Sequence, residues 1–125
     1  MFNQALREVA NALVEANRTD EIEPLLERRY DQGCVSVEAA AMGDMPREAH
    51  GLDAIRAKHD WWTAHMEMHG GEVEGPFLFE PDRFAVRFTM DATDRNTGQR
   101  TQGAEIAVYT VKDGKIVREE FFYDS

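Results

Sequence analysis

The last quarter of the sequence carries two carboxylate and phenol pairs, Glu105 with Tyr109 and Glu119 with Tyr123. Each pair is separated by an even step, so on a strand both of its members share one face. A carboxylate buried among apolar rings beside a second negative charge has a raised pKa, which suits it to act as a general base near neutral pH. A phenol in the same place can donate a hydrogen bond to a substrate oxygen that gains negative charge. These types together describe proton transfer on a carbonyl compound, provided that the strands turn them inward.

The other reactive residues point to simpler roles. His65 and His69 stand four apart with Glu67 between them, but the order is not the H-E-x-x-H of a zinc helix, and Gly70-Gly71 follows at once. No metal and no cofactor is expected. Cys34 is the only cysteine, which excludes an intrachain disulfide and fits a small buried apolar side chain. Asp91 and Asp94 flank the turn "DATDRNTGQR", where capping the loop is their ordinary work. No glycine-rich phosphate loop is present.

The formal charge of -10 repels phosphate backbones and anionic headgroups, so neither nucleic acid nor a membrane is an expected partner. No apolar run approaches the ~20 residues of a membrane helix. The start "MFNQALREVA" lacks the order of a secretion signal, and a cytoplasmic location is expected. A length of 125 residues suits one domain, 1–125, with one core.

Apolar residues at Leu6, Val9, Ala10, Leu13 and Val14 predict a helix from Phe2 to Asn17. A short second helix follows Asp20, with Pro24 in its first turn, and ends near Arg28 or Arg29. "RYDQGCVSVEAA" predicts a strand and "MGDMPREAHG" a loop. Gly51 caps a third helix that runs to about His65, with Leu52, Ile55, His59, Trp62 and Met66 on one face. Four strands complete the chain, roughly Glu72 to Phe79, Arg83 to Thr93, Thr101 to Val111 and Lys115 to Tyr123. Helices first and strands second predict an α+β fold with helices on one face of a curved, mostly antiparallel sheet.

Two turns fit "VKDGKI". A two-residue turn at Asp113-Gly114 pairs Lys112 with Lys115 and sets Tyr109 on the face of Arg118 and Glu120. A three-residue bulged turn pairs Val111 with Lys115 and sets Tyr109 on the face of Val117, Glu119, Phe121 and Tyr123. Side-chain alternation alone leaves both open, because a slip of one residue exchanges the faces.

The element order, with "GLDAIRAKHDWW" and "DGKIVREEFFYD", resembles the SnoaL-like branch of the nuclear-transport-factor-2-like superfamily, which includes polyketide cyclases and ketosteroid isomerases. The resemblance implies a cone-shaped α+β barrel around a hydrophobic pocket, and it favours the bulged turn. It points inward Glu119, Phe121 and Tyr123 on the last strand, Glu105, Ala107 and Tyr109 on the strand before, and Phe84, Val86, Phe88 and Met90 on the one before that. Two departures stand out. Phe121 occupies the position of the aspartate of the cyclases and epoxide hydrolases, and Ala107 that of the acidic donor of the isomerases.

On this resemblance the expected catalytic residues are Glu105, as the base, with Tyr109 and Glu119. His59, Trp62, Phe88, Met90, Phe121 and Tyr123 are expected to bind the substrate. The implied activity is isomerisation, cyclisation, hydration or hydrolysis of a hydrophobic carbonyl or polycyclic small molecule. The alternative is a non-catalytic ligand-binding module or partner subunit. Ile106, Val108, Thr110 and Phe122 fall on the outer face, where an apolar stripe predicts a homodimer through the sheet.

Overall fold

The computed structural model describes residues 3–123. The first apolar stripe becomes α1, Gln4–Thr19, with Leu6, Val9, Ala10, Leu13 and Val14 buried along it. It starts at Asn3, whose side-chain oxygen accepts the Leu6 N–H at 3.0 Å and so satisfies one of the donors a helix start leaves open. Phe2, which the pattern includes in this helix, lies outside the described residues. Asp20 ends α1 in the left-handed conformation, φ 58.

The remaining elements in chain order are α2 (Ile22–Arg29), β1 (Tyr30–Val37), β2 (Glu48–His50), α3 (Leu52–His65), β3 (Met66–Phe79), β4 (Arg83–Asp94), β5 (Arg100–Lys112) and β6 (Lys115–Phe122). Two differ from expectation. The segment read as a loop contains β2, which pairs with β1 through Ala49 and Ser36; three residues are too few to show a sequence period. Strand β3 begins at Met66 rather than Glu72 because Gly70 and Gly71 continue the pairing to β4 across an irregularity. Gly71 is required there, since a Cβ would lie 2.2 Å from the Thr89 carbonyl oxygen.

The strands form one sheet in the order β2-β1-β6-β5-β4-β3. Only the β1–β6 pair is parallel. This is an α+β fold, three helices on a curved, mostly antiparallel sheet. The sheet is not closed into a barrel, because β2 and β3 end it as edges. Helix α1 lies against β3 and β4, and α3 against β1 and β2. Leu6, Leu13, Leu26, Ile55, Phe84, Val86 and Ile116 fill the core between the layers.

The β5–β6 turn combines features of both sequence readings. Lys112 pairs with Lys115, and Asp113 and Gly114 both have positive φ, 53 and 77, as a two-residue type I′ turn demands. The register then shifts: Val111 pairs with Ile116 but Thr110 with Arg118. The extra residue is Val117. This bulge, placed after the turn rather than in it, sets Tyr109 opposite Glu119. The resemblance gave the right face and the wrong position for the bulge.

Candidate functional site

In-register neighbours on adjacent strands point to the same side of a sheet, so the pairings define rows across its concave face. The innermost row is Ser36, Glu119, Tyr109 and Phe84. The next contains Phe121, Ala107 and Val86. Glu105, Phe88 and Val73 make the third, and Gly103, Met90 and Gly71 the last. Burial falls along this series. Phe84, Val86, Ala107, Tyr109 and Glu119 are buried, whereas Glu105, Phe88, Met90, Phe121 and Tyr123 are half-buried. The face therefore has a closed end at Glu119 and an open end at Met90.

Of the residues singled out in the sequence, Glu105, Tyr109 and Glu119 lie on this face together with Phe88, Met90 and Phe121. Tyr123 lies beyond the end of β6, where its hydroxyl donates to Glu38 Oε1 at 3.0 Å. His59 and Trp62, both half-buried, come from α3. Trp61 is half-buried as well, and its ring stacks on His65 at 4.3 Å. His65 ends α3, while His69 lies in β3 and contacts Thr93 Oγ1 at 2.7 Å, so the two do not share a helix face. Asp94 accepts the Asn96 N–H at 2.8 Å and caps its turn. Asp91 instead holds Arg100 through two 2.8 Å hydrogen bonds, an arrangement that lowers its pKa to about 2.

Sequence reasoning missed a charged cluster next to these residues. Lys58 is 6% exposed, and its ammonium donates to Ser36 Oγ and to Glu38 Oε2, both at 2.5 Å. The same ammonium sits 4.6 Å from the centre of the Phe121 ring, a cation–π arrangement. Glu38 is 6% exposed and is fixed through its backbone, its N–H donating to the Arg47 carbonyl at 2.8 Å. Arg47 returns a side-chain hydrogen bond to the Glu38 carbonyl at 3.0 Å. Tyr30, at the start of β1, donates its hydroxyl to Glu119 Oε2 at 2.6 Å. A signal for this cluster existed. Cys34, Ser36 and Glu38 alternate along one strand face, and Lys58 follows Ile55 by three on the buried stripe of α3.

The electrostatics follow from this crowding of acids. Burial, and after it the Glu38 charge, push the Glu105 carboxyl up to about 7, with Lys58 opposing and Glu119 adding to the rise. Burial and then Glu119 raise the Tyr30 and Tyr109 hydroxyls well above the ordinary phenol value. Burial and Glu38 take Tyr123 to about 12. The His59 imidazole is held below its usual value by burial first, with Glu119 pulling it back up. The thiol of Cys34 is pushed up to about 12, chiefly by burial, which leaves it protonated and unreactive. Glu105 thus exchanges its proton near neutral pH.

Two surface grooves border the open end of the concave face, where Gly71, Val73, Met90 and Gly103 line them. One runs between Arg18 and Gly71–Glu74; the other crosses the ends of β3, β4 and β5 at Arg87, Thr89 and Gly103. Neither is lined by Glu105, Tyr109 or Glu119. We place the candidate site on the concave face, because the Glu105 carboxyl and the unpaired Glu119 Oε1 are there. No group of three or more His, Cys, Asp or Glu side chains suited to a metal occurs among the described residues.

Fold and site together define a small α+β cone with acids and phenols on its inner face. The chain belongs to the SnoaL-like domain family, whose model matches residues 4–123. Among solved structures, a protein from Mesorhizobium loti described as a candidate SnoaL-like polyketide cyclase is 37% identical, with TM-score 0.85 over 94% of this chain and 97% of that one. An NTF2-like protein from Burkholderia thailandensis, 17% identical, has TM-score 0.80 over 94% of this chain and 88% of that one. TerC, crystallised with polyporic acid, is 21% identical, with TM-score 0.75 over 97% of this chain and 92% of the other. The last two show the fold alone. No curated protein matches the sequence.

Proposed function

We propose that this chain binds a hydrophobic carbonyl or polycyclic compound on its concave face and moves a proton on it, with Glu105 as the general base. The reaction class is isomerisation, cyclisation or hydration. The observation that carries this reading is the Glu105 carboxyl at about 7, half-buried on the open half of the face, where a ligand can reach it. A base is most effective when its pKa lies near the working pH. Phe88, Met90, Phe121 and Trp62 provide apolar wall, and His59 closes the face from α3. Tyr123 gives its single O–H to Glu38, so towards a ligand its oxygen serves as an acceptor. Membership of the SnoaL-like family supports the class, and TerC gives an instance of a small molecule held on this fold.

The deciding experiment is a turnover screen over enolisable bicyclic and tricyclic ketones with wild type and Glu105→Gln. Loss of about a hundred-fold or more in kcat/KM is expected, and turnover untouched by the substitution would exclude Glu105 as the base. A non-catalytic ligand-binding module or partner subunit is the second reading, favoured by the apolar Phe121 and Ala107. We also propose a homodimer through the outer sheet face, supported by exposed Ile106 and Phe122, and a cytoplasmic location.

A further inference from the structure

The closed end of the concave face contains polar groups with nothing to bind. Glu119 is 2% exposed. Tyr30 satisfies its Oε2, but Oε1 is enclosed and has no hydrogen-bond partner. A buried carboxylate oxygen left unpaired is destabilising until a donor reaches it. Directly across the strand pair stands Tyr109, 2% exposed. Its ring is fixed by stacking on Phe84 at 4.8 Å, and its hydroxyl makes no hydrogen bond among the described residues. An enclosed acceptor and a donor that keeps a little accessible surface therefore stand at paired positions of adjacent strands without a hydrogen bond between them. One group satisfies both at once: a hydroxyl, which donates to the carboxylate and accepts from the phenol.

We propose that Glu119 Oε1 and the Tyr109 hydroxyl form a recess for a hydroxyl group of the ligand, with Tyr30 as the residue that positions Glu119. This deepens the reading of the site given above and rests on it, since it makes the ligand a hydroxylated carbonyl compound rather than a purely apolar one. The spacing also sets a size. Glu105 and Tyr109 are four residues apart on one strand, about 13 Å at roughly 3.3 Å per residue. Less a hydrogen bond of about 3 Å at each end, that span suits a rigid skeleton of two or three fused rings. The hydroxyl enters first, and the carbonyl end stays at Glu105.

The test compares two fluorescent probes, 6-hydroxy-2-acetylnaphthalene and 2-acetylnaphthalene, which differ only in the hydroxyl. Wild type is expected to bind the hydroxylated probe at least about ten-fold more tightly, as a hydrogen bond to a charged group would give. Tyr109→Phe and Tyr30→Phe are expected to lose most of that preference while keeping their affinity for 2-acetylnaphthalene, a pattern that mere loosening of the core would not produce. Equal binding of both probes by wild type would mean that the recess holds a structural water only and would overturn the proposal. So would a preference that survives in Tyr109→Phe, or no saturable binding of either probe. In each of these cases the proton-transfer reading is decided separately, by the titration of Glu105 in the free protein.

Discussion

At the scale of single residues the decisive quantity is the proton on Glu105. Its carboxyl is raised from 4.5 to about 7 in the folded chain, so between those values the native state holds a proton that the unfolded state has released. Stability therefore falls as pH rises through that window, by at most about 3 kcal/mol. Glu105→Gln should flatten this slope between pH 5 and 8 in urea titrations, and carbon-13 NMR of the wild-type carboxyl should show a midpoint near 7. A midpoint below 5 would remove both expectations. Lys58 is a second case. Removing it as Lys58→Met leaves the Glu38 carboxylate buried without its cation, at a cost of roughly 3–5 kcal/mol. The double variant Lys58→Met/Glu38→Gln should be more stable than Lys58→Met alone, and strict additivity in urea melts would refute the coupling. Neither Lys58 nor Glu38 was read from the sequence, although each lies on a buried stripe. A charge on such a stripe makes sense only with its partner, and here the partner is 20 residues away. Glu105 was assigned to the inner face by the family resemblance, because alternation alone left both faces of its strand open.

At the scale of elements, the helices and long strands were legible because their periods are written several times over: five apolar positions define α1, and alternation from Phe84 to Met90 defines β4. Short or irregular pieces escaped, because β2 is three residues long and β3 runs through two glycines. The β5–β6 hairpin shows why faces are harder than elements. Its turn residues select the type I′ geometry, yet the face of Glu119 is set by the extra residue at Val117, a feature with no composition of its own. The turn and the bulge can be tested apart. Gly114→Ala places a side chain at φ 77 and should cost about 1 kcal/mol with the ligand preference intact. Deleting Val117 should instead turn Glu119 and Phe121 to the outer face and abolish both cooperative unfolding and probe binding. A Val117 deletion that melts cooperatively and still binds the probes would show that the bulge does not set the face.

At the scale of the whole molecule, the sheet has two faces with different tasks. The concave side is filled by the helices and the candidate site. The outer side presents Ile106 and Phe122, directly paired and 40% and 51% exposed, with Phe77 and Phe79 at 52% and 59% on the neighbouring edge. Apolar side chains collected on one face are a contact surface waiting for cover. The charge of -10 sharpens the argument: two copies repel at long range, so association needs an apolar contact strong enough to outweigh that repulsion, and salt should assist it by screening. Light scattering at micromolar concentration should give twice the 14.3 kDa of one chain. Ile106→Glu/Phe122→Glu should shift the mass to that of one chain, because it places two carboxylates opposite their own copies in a contact that excludes water. The concave site lies on the far side of the sheet, so probe affinity in this variant should stay within about two-fold of wild type. A wild-type mass of one chain at high salt would leave the exposed stripe to a different partner, and the candidate site would then have to function in a single copy.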